Sequence, residues 1–202
     1  MRTVDFDTLS LHWLQPSRTH NLDSTCSPNK ALQPTVLPPL RSGVLAGFLS
    51  SRETAAEIGL DRSGGCMRAD GHARQPIVRM TNVNLEPGEA GTLEDLIAAT
   101  GEGLLIDTNR SWSIDDKRLN FQFGTQIAWE IKRGKIGRML RDATYMGVTP
   151  EFWGRLDAVA GPEQWRLHGL TNCGKGQPGQ HAHVSHGTAP ARFRDVQVGV
   201  RK

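Results

Sequence analysis

A single cysteine near the C-terminus is the residue of this chain best suited to do chemistry. Cys173 lies in a glycine-rich stretch, Thr-Asn-Cys-Gly-Lys-Gly-Gln at residues 171–177, and not in the apolar run that usually surrounds a structural cysteine. Lys175 follows two residues later. A cationic neighbour favours the thiolate, which is the form that binds metals and attacks carbonyl carbons. The pattern therefore predicts a chemically active turn around Cys173.

Histidines around this turn leave two further kinds of site open. His181, His183 and His186 could join Cys173 in a local zinc site, although the spacing Cys-x7-His-x-His-x2-His is not that of a zinc finger. Cys173 could instead act as a nucleophile, with a base supplied by this cluster or by His168. The competing interpretation is that the histidines are loop residues that face solvent.

The other candidate residues favour structural roles. Three cysteines at unrelated spacings do not form a disulfide framework, so Cys26 and Cys66 are predicted to be free thiols. Asp115 and Asp116 fall between two predicted strands and indicate a solvated turn. The tryptophans expected in a core or an interface are Trp129, Trp153 and Trp165.

The composition argues against several classes of protein. The chain has 202 residues, enough for a domain with a substantial core, and no apolar run long enough to cross a bilayer. Its first residues lack the charged start and apolar core of a signal peptide, so we expect a cytoplasmic protein. The net charge of +3 comes from scattered arginines. Without a basic helix face or an aromatic–basic strand pattern, nucleic-acid binding is not predicted.

The chain divides into two regions of different character. Residues 1–40 are rich in Ser, Thr, Pro and Asn, and prolines interrupt any regular period. We predict that this stretch is a disordered or non-homologous tail. Residues 41–202 carry consistent local signals and form the predicted domain.

In the first half of that domain, residues 43–49 and 76–84 are predicted strands on either side of a loop at 61–75. Between them, Ser50 and Glu53 fit a capping box for a short helix that runs through Ile58 and ends at Gly59. A second helix is predicted over 93–99, with Thr92 as N-cap, Asp95 at the third helical position and Gly101 at its end.

In the second half, strands are predicted at 104–107 and 120–131, the latter continuing through a turn at 132–135 into a hairpin. Thr149 is predicted to cap a third helix that carries Phe152, Trp153, Leu156 and Val159. A last strand spans 191–200, with a bulge near Arg194 and Asp195. These elements predict an α+β fold: a mainly antiparallel sheet or barrel-like domain with about three short helices.

A series of motifs along residues 41–202 resembles the C-terminal domain of the TldD/PmbA family. Members of this family are described as zinc metallopeptidases or as modulators of DNA gyrase. The motifs are specific when taken together and in order, but not singly. They are GVLAGFLSSRETAAEIGL (43–60), PIVRMTN (76–82) with Pro87-Gly88, FQFG (121–124), WEI (129–131) with GKI (134–136), and CGKGQ (173–177).

The resemblance implies a role for Cys173. In TldD-type members, zinc is bound by two histidines of a His-Glu-x-x-x-His helix and by the cysteine of the Cys-Gly-Lys turn, which Cys173 matches. The glutamate of that helix activates a zinc-bound water. Three protein ligands leave a fourth position for water, whose pKa the metal lowers towards about 7.

The chain departs from the family in one respect, because it contains no His-Glu dipeptide. We therefore expect the C-terminal part of a TldD-type zinc metallopeptidase, a peptide hydrolase whose Cys173 completes a site formed with another segment. The expected partners are a peptide substrate and a family subunit in a homo- or hetero-oligomer. Without that other segment, we expect the chain to bind no zinc and to be inactive. It would then be the product of a truncated or misannotated reading frame. The alternative is a non-catalytic partner or scaffold domain.

Overall fold

This computed structural model describes residues 47–200 and the strand backbones at 2–5, 40–41 and 44–45, with side chains for 47–199. The chain forms two compact units. The first comprises residues 1–8, 87–166 and 188–202, and the second comprises residues 9–86 and 167–187.

Strands dominate both units. The helices are α1 (Arg52–Glu57), α2 (Leu93–Thr100) and α3 (Thr149–Gly154), with a 3-10 turn at Pro162–Gln164. The strands are β1 (Arg2–Asp5), β2 (Leu40–Arg41), β3 (Val44–Leu45), β4 (Met67–Arg68), β5 (Ile77–Val78), β6 (Gly103–Ile114), β7 (Asn120–Lys132), β8 (Lys135–Leu140), β9 (Ala143–Val148), β10 (Leu156–Val159), β11 (Arg166–Lys175), β12 (Gln180–Thr188), β13 (Ala191–Phe193) and β14 (Gln197–Val200).

The first unit is built on one sheet. Its strands follow the order β10-β13-β1-β6-β7-β9-β14, and β8 pairs with β7. All of the pairings are antiparallel except that of β1 with β6. The α+β class with a mainly antiparallel sheet and three helices is confirmed, and among the described strands the sheet does not close into a barrel.

The long β6–β7 hairpin turns at Asp115, as the sequence predicted. The Asp115 carboxylate accepts hydrogen bonds from the backbone N–H of Leu119 and from the backbone and side chain of Asn120. These bonds, the one from the Asn120 side chain foremost, hold the pKa of Asp115 below its usual value. The turn therefore favours a carboxylate at this position.

Helix α2 covers the centre of this sheet. Thr92 is the N-cap, as predicted, and it forms a capping box with Asp95; Gly101, with φ +72°, ends the helix. Ile97 of the helix is buried against Leu105 and Ile131, with Trp129 packed at the side. Of the predicted core tryptophans, Trp165 packs in a second cluster of this unit and Trp153 packs on Phe193.

Helix α3 differs from its prediction at both ends. Its N-cap is Val148, and the Thr149 hydroxyl donates instead to the carbonyls of Arg118 and Leu119. The helix ends at Gly154, and Leu156–Val159 forms strand β10 against β13. Apolar residues three apart share a face in a helix but not in a strand, so the spacing favoured a helix, and pairing with the edge of β13 overrides it.

Helix α1 begins one residue later than predicted. Ser51, and not Ser50, is the N-cap, and its capping-box partner is Thr54. Ser50 is fully buried, and its hydroxyl accepts a hydrogen bond from the Gly64 N–H at 2.9 Å. The predicted helix end at Gly59 is correct, since Gly59 has φ +72°.

Several predicted strands are too long. Among the described residues, strand pairing covers β3 within 43–49, and β5 with a single bridge at Asn84 within 76–84. The predicted loop at 61–75 contains β4, which pairs with β5. The predicted strand 191–200 is two strands, β13 and β14, because the chain breaks at the expected bulge, where Asp195 has φ +52°.

The predicted tail, residues 1–40, lies outside the described residues except at β1 and at Leu40 of β2. Arg2–Asp5 forms β1 and therefore has regular structure. The boundary at residue 41 stays a prediction. Among the described residues, no helix combines the length and the apolarity that crossing a membrane requires.

Gly134 supports the seating of α2 on the β7–β8 hairpin. Its φ is +70°, and its N–H donates to the Gly101 carbonyl at 2.9 Å. A β-carbon at this position would lie 2.7 Å from the Ala98 carbonyl oxygen. Glycine is therefore required here both for the turn and for the close approach of the helix.

We predict that Gly134→Ala lowers the free energy of unfolding by about 2–3 kcal/mol, because the new β-carbon collides with Ala98 and strains the positive φ. Urea denaturation measures this loss. Gly154→Ala is the matched control, since a β-carbon there meets nothing within 4 Å. Equal losses in the two variants would contradict the packing role of Gly134.

Candidate functional site

The β11–β12 hairpin of the second unit carries Cys173 and the predicted histidine cluster. Along β12, His181 and His183 are exposed, whereas Val184 is buried and His186 is half-buried. Side chains of a strand alternate between faces, so His186 lies on the face opposite to His181 and His183. Cys173 is only 5% exposed. The three histidines therefore do not converge on the sulfur.

Cys173 contacts a buried arginine. Arg68, on β4, is 8% exposed. Its Nη2 donates to the Cys173 Sγ at 3.0 Å and to the Cys173 carbonyl oxygen at 2.8 Å. Cys173 lies within strand β11 and not in the turn that the sequence predicted, because residues 171–175 pair with β12 and the chain turns only at 176–179. The guanidinium thus fixes both the sulfur and the backbone at this point of the strand, and it places a positive charge against the sulfur.

The electrostatics of Arg68 reflect its burial. Desolvation lowers the pKa of the guanidinium, the contact with Cys173 opposes this shift, and the neighbouring charge of Arg79 adds to it. Arginine nevertheless stays protonated in proteins. A fixed cation is therefore held in a place where its hydration is lost, so that an anionic or strongly polar partner is favoured.

The two residues after Cys173 hold the hairpin in different ways: Gly174 by close packing and Lys175 by a hydrogen bond. A β-carbon on Gly174 would lie 3.0 Å from the His181 ring, so glycine allows the imidazole to lie against the backbone. The φ of Gly174 is not positive, and close approach rather than a left-handed turn explains this glycine. The Lys175 amine donates to the Val78 carbonyl of β5.

A loop between β4 and β5 is fastened to the start of β12. Gln180 is 4% exposed, accepts from the Asp70 N–H at 3.0 Å and donates to the Gln75 carbonyl at 2.7 Å. Arg74 donates to the Gly179 carbonyl at 2.6 Å. The Asp70 carboxylate pairs with Arg74 and accepts from the His181 N–H, both at 3.2 Å.

Two buried asparagines bond to the backbone of β12, which pairs only with β11 among the described strands. The side-chain oxygen of Asn82 accepts from the Ser185 N–H at 2.8 Å, and that of Asn84 accepts from the Gly187 N–H at 2.6 Å. Both asparagines are at most 3% exposed. They explain why residues 79–84 do not continue β5: their polar side chains bond to the hairpin.

The structure separates most of the predicted site residues. The described part of the chain holds no group of three His, Cys, Asp or Glu side chains that could bind a metal. His168 is exposed on β11, and no hydrogen bond joins it to Cys173. Cys66 forms no disulfide, as predicted; its buried Sγ donates to the Gly64 carbonyl at 3.2 Å, and its side chain packs with Val83. Cys26 lies outside the described residues.

Sequence reasoning missed Arg68, Gln180 and Asn84. Arg68 is one of several arginines in a stretch predicted to be a loop, so neither its burial nor its partner could be anticipated. The missed signal for Asn84 is its spacing of two from Asn82, which places both side chains on one side of an extended segment.

The sequence matches one family over most of its length. The model of the PmbA/TldA metallopeptidase C-terminal domain matches residues 18–200. This chain belongs to that family. The resemblance found in the motifs is thereby confirmed.

The relatives are longer proteins. A metalloprotease from Methanothermobacter thermautotrophicus is 34% identical over 160 residues, a match that covers 79% of this chain and 34% of the relative. A zinc metalloprotease TldD homolog from Saccharolobus solfataricus is 22% identical, with 79% and 34% covered. The chain thus spans about a third of the length of these curated relatives.

Solved structures show the same fold. A Thermotoga maritima protein described as a modulator of a DNA gyrase aligns with a TM-score of 0.63 at 21% identity, covering 95% of this chain and 39% of that one. TldE from Thermococcus kodakarensis aligns with a TM-score of 0.59 at 19% identity, covering 81% and 33%.

We predict that Asn84→Ala lowers the free energy of unfolding by about 1–3 kcal/mol, because the Gly187 N–H is left buried without a partner. Chemical denaturation gives the value. Asn172→Ala is the control, since Asn172 is exposed on β11. A change below about 0.5 kcal/mol for Asn84→Ala, within the range of ordinary surface substitutions, would show that these amides do not hold the hairpin.

The free energy of unfolding should depend on pH through His186. His186 Nδ1 lies 3.0 Å from the Val83 carbonyl oxygen. Burial lowers the pKa of His186, the Val83 contact opposes this, and the charge of Arg79 adds to the lowering. Because the folded pKa is below the unfolded value of about 6.5, the unfolded chain binds more protons in acid. The contribution of His186 is complete above that value and is lost as pH falls towards the folded pKa.

We therefore expect His186→Asn to flatten the decline of unfolding free energy between about pH 6.5 and pH 5. Urea melts at several pH values measure the slope. His183→Asn provides the same substitution at an exposed position. A slope in His186→Asn as steep as in the parent chain would refute the assignment to His186.

Proposed function

We propose that this chain is the C-terminal domain of a zinc metallopeptidase and that Cys173 is one of its metal ligands. The observation that carries the proposal is the arginine–cysteine pair within a domain of this family: Arg68 donates to the Cys173 Sγ at 3.0 Å. The Cys-Gly-Lys motif and the relatives named metalloproteases point to the same role.

The residues present fit one ligand of a zinc site and not a whole site. A thiolate sulfur accepts a hydrogen bond from Arg68 through one lone pair and retains others for a metal. A catalytic zinc has three protein ligands. The described residues offer no group of three. Under this proposal the other two ligands come from another segment, either of a longer protein or of a family subunit.

This chain's own residues have a positioning role in such a site. Arg68 fixes the sulfur and the backbone of Cys173, and Lys175 ties the end of β11 to β5. The metal, once bound, would supply an activated water for peptide hydrolysis. On the same hairpin, Leu167 and Leu170 are 55% and 42% exposed, an apolar surface that a covering segment would bury.

The proposal predicts that metal binding requires both this chain and a family segment that supplies the two histidine ligands. A Cys26→Ser/Cys66→Ser chain, whose only thiol is Cys173, is mixed with a separately made family segment that carries a His-Glu-x-x-x-His helix. Cd²⁺ should then give a sulfur-to-metal charge-transfer absorption in the mixture only. Cys173→Ser should abolish that absorption, because the thiolate is the metal's only sulfur ligand. Zinc-dependent cleavage of an unstructured peptide should likewise require the mixture.

Three outcomes would overturn this proposal in different ways. A Cys173-dependent absorption from the chain alone would indicate the local cysteine–histidine site. A stable complex that takes up no metal would favour the non-catalytic partner domain. A mixture that neither associates nor binds Cd²⁺ would remove the metal role of Cys173 altogether.

A further inference from the structure

The β7–β8 hairpin of the first unit concentrates positive charge. Residues 130–142 contain five lysines and arginines and two carboxylates, a surplus equal to the net charge of +3 of the whole chain. Each of the two carboxylates is already shared between two cations, so the hairpin does not neutralise its own surplus. The ion pairs join Glu130 with Lys132 and Arg138, and Asp142 with Arg110 and Arg141.

The register of the hairpin brings two of these charges together. Lys132 of β7 lies directly opposite Lys135 of β8. Like charges that face each other across two strands destabilise the pairing. Glu130 reaches Lys132 at 2.9 Å, whereas no ion pair with another described residue involves Lys135. An acidic group from outside the hairpin would therefore stabilise this end of β8.

Strand β8 also has an open edge. Among the described strands it pairs only with β7. Backbone N–H and C=O groups point alternately to the two sides of a strand, so half of those in β8 face away from β7. Residues 135–139 are exposed, with Ile136 at 52% and Met139 at 65%. Charge alone would protect such an edge, whereas large apolar side chains beside the charges offer a contact surface.

These features favour a peptide over other anionic partners. A peptide strand supplies alternating donors and acceptors that match the outer edge of β8. A nucleic acid or a lipid surface has no such row of backbone amides. Nucleic acids on strands also stack their bases on aromatic side chains, and β8 contains none.

We propose that the outer edge of β8 binds an extended acidic segment of a partner protein, which adds to the sheet as a further strand. Its carboxylates lie against Lys135 and Arg138, and its apolar side chains lie against Ile136 and Met139. Because β8 has six residues, a segment of about seven residues covers it. This surface belongs to the first unit and Cys173 to the second, so the inference does not depend on the proposed metal role.

Fluorescence anisotropy tests the binding of fluorescein-Glu-Val-Asp-Val-Glu-Val-Asp-amide to the full chain. One counterpart peptide replaces each acid by its amide, and another keeps the acids but has N-methylated backbone amides throughout. We expect saturable binding of the first peptide and at least about tenfold weaker binding of each counterpart, because one lacks the charges and the other the strand hydrogen bonds. Backbone amide NMR signals of Ile136 and Gly137 should shift with the first peptide.

A charge reversal separates the loss of binding from a loss of folding. Lys135→Glu should weaken binding at least about tenfold, because attraction becomes repulsion. The same change places an acid opposite Lys132, so urea melts should show a chain at least as stable as the parent. Lys117→Glu is the matched control, since Lys117 is exposed in the turn at the other end of β7. It should change affinity less than about twofold.

Several results would overturn this inference. The acidic peptide could fail to bind, or could bind no better than its neutral or N-methylated counterpart. Unchanged affinity in Lys135→Glu would show that the peptide binds elsewhere. Tighter binding of oligouridylate or of phosphatidylglycerol vesicles than of the acidic peptide would indicate another class of partner. Self-association that shifts the Ile136 and Gly137 signals, and that the peptide does not reverse, would assign the edge to a second copy of the chain.

Discussion

The second unit depends on one constraint: a two-stranded ribbon cannot satisfy its own outer backbone groups. β11 and β12 pair only with each other among the described strands. Isolated ribbons of this kind are marginally stable in water. Here the side chains of Asn82 and Asn84 accept hydrogen bonds from backbone N–H groups of β12, and the Leu85 N–H donates to the Gly187 carbonyl at 2.8 Å. Arg68 and Lys175 hold the strand that carries Cys173, since Arg68 donates to the Cys173 sulfur and carbonyl and Lys175 donates to the Val78 carbonyl. The position of Cys173 therefore follows from contacts with residues that are distant in sequence.

Arg68 connects β4 to Cys173, the proposed metal ligand on the β11–β12 hairpin. It is a buried cation on β4, and its bonds to the sulfur and carbonyl of Cys173 fix this part of β11 and place a positive charge against the sulfur. Among the described residues, its buried Nε has no hydrogen-bond partner. The bonds to the Cys173 sulfur and carbonyl therefore offset only part of the cost of burying this charge.

In the first unit, local sequence determines some secondary-structure elements, whereas tertiary contacts determine others. The Thr92–Asp95 capping box and the β7–β8 hairpin were predictable, because turn and cap residues act on neighbours in sequence. The end of α3 was not predictable. The spacing of Leu156 and Val159 favoured a helix, and pairing of β10 with β13 overrides it. Likewise Ser50, a plausible cap by sequence, accepts instead from Gly64, fourteen residues away.

The sequence by itself determined the fold class, the family motifs and Cys173 as the reactive candidate, since these depend on residue type, period and local spacing. Tertiary structure alone decided which residues surround that cysteine. Arg68 lies 105 positions from Cys173, a separation at which no local pattern predicts a partner. Strand alternation then placed His186 on the face opposite to His181 and His183, so a cluster that is compact in sequence is divided in space.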